Sequence, residues 1–344
     1  MLYVGLDLSR KRLDWQALEP EGAQVALGAV PPDRDGLLSL AGRFSGEPVL
    51  AVIESMTGAR FVHDQLELAG WDVRIADAVK ARGIAPLACK TDRIDCWVLA
   101  ELARRELVPE VWLPGPAVRA ERERARFRLH LVKHRSSLKN RVHAILFQHG
   151  IANGHSDLFG VGGRRLLERL ALPEPWASSV TASLTLIDTL DEQIAGCEAE
   201  LRRLGADHPY TPLLLTCPGI GWVLAYTIAS EIGDISRFAS PRKLTGYTGL
   251  CPRVDQSGER DRRGPLRKNG PNYLRWARVE AAHGANRHPH HRSVRERMIA
   301  RHGQKRGTKI AAIEIGRRLS EAIWHMLTTN QPFAPAGAAA SLAA

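Results

Sequence analysis

The first 110 residues alternate between short apolar runs and segments with helical spacing. Early runs joined by a Gly/Pro-type turn predict antiparallel strands, and a nearly continuous apolar run ending in Glu54 predicts a strand buried on both faces. Hairpin strands followed by strands that alternate with helices are the order of a ribonuclease-H-like α/β fold, in which the first strand is central. The predicted strands are 2–9, 12–20, 23–30, 47–55 and 71–77, with helices near 35–44 and 59–70.

Beyond a Pro/Gly break at residues 113–117, the spacing becomes helical. Residues 119–148 predict one long, strongly basic helix. A second long helix has apolar residues that alternate by three and four, which is the heptad pattern, at Ile187, Leu190, Ile194, Cys197, Leu201 and Leu204. Because this seam is short, it fits an antiparallel pairing with the first helix and a dimer contact equally well. A further helix with an apolar face is predicted near residues 308–327.

These patterns divide the chain into four regions. We expect an α/β domain at residues 1–112, a helical, coiled-coil region for multimerisation at 113–205, and a mostly α C-terminal domain at 206–330. Residues 331–344, rich in Ala, are expected to be disordered.

Composition and charge narrow the class of protein. The 344 residues are 44% hydrophobic and 25% charged, as in ordinary soluble proteins, and no apolar run is long enough for a membrane span. The net charge of +11 predicts a polyanionic partner, most often nucleic acid. The five scattered cysteines suggest neither a disulfide framework nor a zinc site, so we expect a cytoplasmic protein.

Four acidic residues follow predicted strands or open a predicted helix. Asp92 and Asp95 are three apart and so lie on one helix face, where a solvated first turn that complements the helix dipole is the simpler interpretation. Asp7 on the first strand and Glu54 at the end of a neighbouring strand could converge with them. Four carboxylates in one pocket repel unless cations bind, and two Mg²⁺ ions are the usual solution when phosphate is the substrate. Other acids that could take their place are Asp14, Asp64 and, above all, Asp77.

Ser257 precedes a glycine in a strongly basic stretch that we interpret as a phosphate-facing loop. A serine in this setting is ordinarily turn chemistry, and no histidine stands nearby in sequence to act as the base of a triad. Ser240, which precedes a proline, is better explained as a helix N-cap. The basic residues around Ser257 are Arg253, Arg260, Arg262, Arg263, Arg267, Lys268 and Arg275.

Three further features have a nucleic-acid interpretation beside a simpler one. Gly219 and Gly221 resemble a helix-hairpin-helix turn that approaches phosphate, or form a plain glycine turn between packed helices. Arg126 and Arg135 on the basic helix are predicted phosphate contacts, although such a helix can simply be a solvated face. Residues 288–291, "HPHH", look like a metal-binding tract, but Pro289 interrupts any helical pairing of the histidines, so we favour a solvated or phosphate-proximal loop.

The chain resembles the DEDD-type insertion-sequence transposases, which have a RuvC-like N-terminal domain and a serine-bearing C-terminal transposase domain and are guided by a bridge RNA. The resemblance rests on "YVGLDLSRKRLD", "AVIESMTGAR", "KTDRIDCWVLAEL" and "YTGLCPRVDQSGERDRRGPLRKNGPNYLRWA". Cys96 replaces the usual small residue after the second Asp of the "KTDxxD" element.

The resemblance implies a bacterial, nucleoid-associated DNA recombinase that excises and inserts a mobile element. Ser257 would be the nucleophile that forms a covalent phosphoserine link, and the four acids would bind Mg²⁺, two ions to a site. A guide RNA and a homo-oligomer, dimer or tetramer, with a composite site from different protomers, are implied as well. The alternatives are a metal-dependent RuvC-like nuclease or junction resolvase without a covalent intermediate, and a non-catalytic nucleic-acid-binding protein.

Overall fold

The computed structural model describes residues 1–84, 92–258 and 260–334, with the backbone alone at positions 92, 93, 261 and 263. The chain forms two compact units, Met1–Leu113 and Pro114–Ala344, which meet in sequence at the predicted Pro/Gly break. No helix in the described ranges is both long and apolar enough to cross a bilayer.

The first unit is a five-stranded mixed sheet flanked by helices on both faces. Its strands are β1 Leu2–Leu8, β2 Leu13–Leu18, β3 Gln24–Val30, β4 Val49–Glu54 and β5 Asp72–Ala76, and its helices are α1 Arg34–Arg43, α2 Ala59–Leu68, α3 Ala78–Ile84 and α4 Asp92–Arg104. The strand order is β3-β2-β1-β4-β5, with β1 antiparallel to β2 and parallel to β4. The prediction that the first strand is central is confirmed.

Alternation along β1 separates the two faces of this sheet. Val4 and Leu6 face a core that includes Leu37 of α1 and Leu66 of α2. Gly5 faces α4 so closely that a Cβ there would lie 1.8 Å from the carbonyl oxygen of Cys96. Only glycine allows the two backbones to touch, which seats α4 directly on the centre of the sheet.

The second unit begins with two long helices, α5 Pro116–Gln148 and α7 Trp176–Ala206, and the short helix α6 Val161–Arg169 between them. Ion pairs join α5 to α7 with numbers rising along one helix and falling along the other, which shows that the helices are antiparallel. The pairs are Arg124–Glu200, Arg128–Glu198 and Arg135–Asp191. Of the two arrangements considered for the heptad seam, the structure contains the antiparallel pairing, and Ile187, Ile194 and Leu201 of that seam are buried.

The rest of the second unit is a helical bundle that carries one two-stranded hairpin. Its helices are α8 Thr211–Leu215, α9 Trp222–Ile232, α10 Pro241–Tyr247, α11 Asn272–Ala285, α12 Pro289–His302 and α13 Gln304–Thr329, and the hairpin strands are β6 Pro252–Ser257 and β7 Arg260–Leu266. Ile228, Leu274 and Leu319 bring α9, α11 and α13 into one core. The helix predicted at 308–327 is confirmed as α13, whereas residues 335–344 of the predicted tail lie outside the described residues.

The loop predicted at residues 288–291 is wrong. Pro289 is the first residue of α12, where a missing N–H costs nothing, and His288 is its N-cap. His291 is buried, and burial together with the nearby His290 and His288 lowers its pKa to about 4. The proline that argued against a helix is therefore the residue that begins one.

Candidate active site

Two of the predicted acids are neighbours at the carboxyl ends of the central parallel strands. In the β1–β4 register Leu6 lies beside Ile53, so the next residues, Asp7 and Glu54, come side by side. Each is two positions after a residue that faces α4, namely Gly5 and Val52, and therefore lies on the same face. Both residues are half-buried. Strand pairing alone thus brings residues 47 positions apart to one edge of the sheet.

Helix α4 carries Asp95 to this same edge. Because Gly5 contacts Cys96 and Ala100, and α4 runs back along β1, the first turn of α4 lies beside the carboxyl end of that strand. Burial of the Cys96 thiol and the negative charges of Asp7, Asp14 and Asp95 together raise its pKa to about 12. Acids from distant parts of the sequence therefore act on one buried sulfur.

The chemistry of the donors fits a hard divalent cation, since the acids offer only carboxylate oxygens. Among the residues with described side chains, however, no group of three or more His, Cys, Asp or Glu is arranged to hold a metal. Asp7, Glu54 and Asp95 do not form such a group by themselves, and the side chain of Asp92 lies outside the described residues. The four-acid metal site therefore stays a prediction.

The alternative acids have structural explanations. Asp77 caps α3, accepting hydrogen bonds from the backbone N–H groups of Val79 at 3.0 Å and Lys80 at 3.1 Å. Asp64 Oδ1 lies 3.0 Å from Nδ1 of its neighbour His63 on α2. Both acids are thereby accounted for without a metal.

Asp14, unlike Asp64 and Asp77, lies beside a predicted metal ligand, and the sequence interpretation gave it too little weight. It lies directly opposite Asp7 across the β1–β2 pair, so it shares the face that α4 covers. Its carboxylate accepts from Arg12 Nη2 at 2.6 Å and is thereby compensated. The register of the predicted hairpin was the signal that could have placed it beside Asp7.

Ser257 is the last residue of strand β6, and the basic stretch around it is a hairpin rather than the predicted loop. It pairs with Arg260 across the turn, where Gly258 has φ +56°, and it is exposed. Residues 253–257 of β6 are all exposed, as in a solvent-facing two-stranded ribbon, which the emphasis on glycine and charge concealed. The hydroxyl is thus presented at the end of a protruding element.

A cleft of about 760 Å³ lies at the base of this hairpin. Arg253 and Arg267 line it, together with Cys251 and Asn269. The side chain of Arg263 lies outside the described residues. Two of the predicted phosphate contacts therefore face one concave surface.

The next turn is held by Arg275. Its Nη1 donates to the carbonyl oxygen of Lys268 at 3.0 Å, and its Nη2 donates to Asn272 Oδ1. Lys268 has φ +54°, a left-handed conformation that a non-glycine residue adopts only when its surroundings fix it. Arg275 is thus engaged inside the protein, and its described contacts position the turn that follows the cleft.

Comparison with known proteins identifies the family of the chain. Residues 4–151 match a model of the DEDD transposases of IS110 elements, and residues 211–297 match that of the transposase IS116/IS110/IS902 family. The transposase of insertion sequence IS1328 from Yersinia enterocolitica is 27% identical over 83% of this chain and 86% of its own length. The IS1111A transposase of Coxiella burnetii is 25% identical over 71% and 68%, and a probable family 20 transposase of Pseudomonas aeruginosa is 24% identical over 84% and 86%. The chain is a transposase of the IS110/IS116 family.

The two matched segments divide the predicted residues of the transposase between them. The first contains Asp7, Glu54, Asp92 and Asp95, and the second contains Ser257. The whole of α7 lies between the matched segments. The chain is thus a DNA transposase or recombinase enzyme.

Gly219 and Gly221, in the turn before α9 of the transposase, have different surroundings. Gly219 has φ +80°, and a Cβ there would lie 2.2 Å from the carbonyl oxygen of Ala281 on α11. Close helix packing therefore explains this glycine. Gly221 is the N-cap of α9, and a Cβ there would meet nothing within 4 Å. A phosphate contact at Gly221 stays a prediction.

Arg126 and Arg135 of the basic helix α5 form ion pairs within the second unit of the transposase. Arg126 donates to both oxygens of Glu231, at 2.7 and 2.9 Å, and the Glu231 side chain is completely buried. Arg135 pairs with Asp191 of α7. Both guanidiniums thus have partners within the unit, which differs from the phosphate contacts that the sequence suggested. The sequence could not reveal the acids that face them.

Proposed function

We propose that the transposase excises and inserts a mobile DNA element by strand exchange through a covalent phosphoserine at Ser257. In this proposal Asp7, Glu54, Asp92 and Asp95 of a RuvC-like domain bind divalent metal, and the reaction takes place in the bacterial cytoplasm at the nucleoid. The observation that carries it is the juxtaposition of Asp7 and Glu54 at the carboxyl ends of β1 and β4, with the first turn of α4 beside them.

Asp7, Glu54, Asp92 and Asp95 are the residues that would hold Mg²⁺, and we propose two ions per site.

 A bound Mg²⁺ ion would supply positive charge that stabilises the oxygens of the scissile phosphate. The half-buried carboxylates of Asp7 and Glu54 would keep that cation at the strand ends, and the seating of α4 on Gly5 fixes the helix turn that brings Asp95 to the same edge.

The covalent step conserves the number of phosphodiester bonds. The Ser257 Oγ–P bond forms as the bond from phosphorus to the leaving deoxyribose oxygen breaks, and the serine proton ends on that oxygen. A second DNA hydroxyl then attacks the same phosphorus, the Oγ–P bond to Ser257 breaks, and the proton of the attacking hydroxyl passes to the seryl oxygen. Because no water is consumed, both cut ends can be rejoined without another energy source.

The net charge of the transposase and its resemblance to the family indicate which partners it binds. The net charge of +11 supports a nucleic-acid partner, and the hairpin cleft with Arg253 and Arg267 supports phosphate contact there. We also propose a structured guide RNA and a homo-oligomer, dimer or tetramer, as the resemblance implies. Sequencing the RNA that purifies with the protein, and measuring its mass in solution, test these two points.

A denaturing gel of the full-length protein after incubation with its element ends, Mg²⁺ and co-purified RNA tests the chemistry. We expect a protein–DNA adduct from the wild type, from which a DNA-linked phosphoserine peptide maps to residue 257. Ser257→Ala should abolish the adduct while DNA binding persists. Ser240→Ala is the matched control, because Ser240 begins α10 without a side-chain capping bond. An adduct that survives in Ser257→Ala overturns the proposal.

A RuvC-like nuclease or junction resolvase is the second candidate, since the acids at the strand ends require no serine for attack by water. It predicts free 3′-hydroxyl ends without adduct and the same cleavage rate in Ser257→Ala. Asp7→Asn should abolish cleavage under both candidates, so the serine variant alone separates them.

A further inference from the structure

A small cavity of about 300 Å³ lies between α4 and the β2–β3 hairpin, in the first unit. Its size is at the lower end for ligand pockets, so it suits a single flat ring system rather than a duplex. The residues that line it are Gln16, Leu18, Gly22, Gln24, Ile94 and Trp97.

Gln16 brings an unmatched hydrogen-bond acceptor to this cavity. The residue is only 4% exposed, and its Nε2 donates to Gln24 Oε1 at 3.1 Å. Its own Oε1 is buried and has no hydrogen-bond partner in the described part of the chain. A buried carbonyl oxygen without a donor is destabilising, so an occupant that supplies an N–H group has a ready partner here.

Trp97 provides an aromatic surface at the same cavity. It is 42% exposed, whereas Trp15 and Trp71 in the same unit are almost completely buried. Ile94, one helical turn earlier, and Leu18 of β2 complete the apolar wall. A planar ligand that stacks on the indole would cover this surface.

The cavity is close to the predicted acid site. Gln16 lies opposite Gly5 in the β1–β2 register, and Asp14, two residues before it on β2, lies opposite Asp7. Two strand residues span about 7 Å, so the cavity is roughly that far along the sheet from the carboxylates. A nucleotide near a phosphate bound at the acids could reach it.

We propose that this cavity binds one unpaired nucleobase of the nucleic-acid substrate. The base stacks on Trp97 and donates a ring-edge N–H to Gln16 Oε1. A nucleobase combines a flat π surface with polar groups at its edge, which are the two properties that the cavity can match. The inference rests on the proposed function for its substrate class, since it takes that substrate to be nucleic acid.

Short single strands of about ten nucleotides, with one central base either present or abasic, test the stacking contact with the full-length protein. Fluorescence anisotropy should show that wild type binds the intact strand about ten-fold more tightly than the abasic one. Trp97→Ala should bind both strands equally and weakly. Trp112→Ala is the matched control, because Trp112 is 37% exposed in the same unit but does not line the cavity.

Strands with adenine or unsubstituted purine at the central position test the hydrogen bond, because these bases differ only in the 6-amino group. Wild type should prefer adenine about five-fold, and Gln16→Leu should lose this preference. Gln16→Leu removes the unsatisfied buried oxygen together with the Nε2 hydrogen bond to Gln24, so its melting temperature should stay close to that of the wild type. Deoxyribose and ribose versions of each strand show whether the base comes from DNA or RNA.

The outcomes separate this inference from the proposed function. Equal wild-type binding of intact and abasic strands, with unchanged affinity in Trp97→Ala, overturns the nucleobase site but leaves transposition untouched. A wild-type protein that binds no nucleic acid overturns both. Loss of base discrimination in Trp97→Ala and Gln16→Leu, with both variants folded, supports the site.

Discussion

The ion pair between Arg126 and Glu231 gives the sharpest prediction for stability. Two hydrogen bonds, of 2.7 and 2.9 Å, join the guanidinium to a carboxylate whose side chain has no exposed surface. Replacing Arg126 with Met would leave that carboxylate buried without its main counter-charge. Removing one partner of a buried pair typically costs about 3–5 kcal/mol.

The structure places the expected cost at the lower end of this range. Arg126 is 35% exposed, and Arg122 Nε remains 3.8 Å from Glu231 Oε2 as a partial substitute. We therefore expect a loss of about 3 kcal/mol, which for a unit of this size lowers the melting temperature by about 6–12 °C. The double variant Arg126→Met/Glu231→Leu should recover much of the loss, because it removes the stranded charge as well.

Thermal unfolding of the full chain, followed by circular dichroism and calorimetry, measures the effect. Arg141→Met is the matched control, since Arg141 is exposed on the same helix and has no ion pair among the described residues. It should melt like the wild type. If Arg126→Met also melts within about 2 °C of the wild type but binds DNA less tightly, the guanidinium serves the nucleic acid and the structural role is refuted.

Three other variants test packing and burial, each by thermal or urea unfolding. Gly219→Ala should destabilise the transposase by more than 1 kcal/mol, on the order expected for overpacking at positive φ, while Gly221→Ala stays near neutral; equal effects would contradict the packing role. Arg278 is fully buried, its guanidinium nitrogens have no partner in the described residues, and burial lowers its pKa to about 10. Arg278→Met should therefore stabilise the folded protein by about 2 kcal/mol. A lower melting temperature in this variant would indicate that the guanidinium has a partner. His291 has its pKa lowered from 6.5 to about 4 by burial, by the adjacent histidines and by Arg318, so the unfolded chain binds more protons between those values. Stability should therefore fall by about 2 kcal/mol from pH 7 to pH 5, and His291→Leu should remove that part of the pH dependence.

Elements with a strong apolar period could be predicted from the sequence. The strands of the first unit, the long helix α5 and the last helix α13 appear close to their expected bounds, and α7 contains the whole predicted heptad segment. Their periodicity reflects which face is buried, and burial dominates the local preference in such segments. The antiparallel alternative for the heptad seam could be chosen only once the ion pairs between the helices were visible.

The elements that were predicted wrongly are those in which the structural preference of a residue depends on its position within the element. Pro289 argues against a helix interior but is favourable at the first helical position, where α12 begins. The stretch around Ser257 has the charge and glycine content of a loop, yet it forms strands β6 and β7. Cross-strand pairing supplies its backbone hydrogen bonds, and a single segment gives little sign of its partner.

For the candidate site, the sequence predicted that Asp7 and Glu54 lie close together, but not how charges are compensated. The meeting of Asp7 and Glu54 follows from two parallel strands and could be foreseen. The partners of Arg126 and Arg275 could not, because Glu231 and the Lys268 carbonyl are distant in sequence or belong to the backbone. Charge counted along a helix therefore overstates what is available to phosphate.

The lack of a Cβ atom at Gly5 limits which substitutions the enzyme can accept. Main chain rests on main chain between β1 and α4, so no rotamer or side-chain volume can adjust the spacing between the sheet and this helix. Engineering of a new specificity would leave this contact alone and act on the more adaptable periphery, such as the exposed residues of the β6–β7 hairpin.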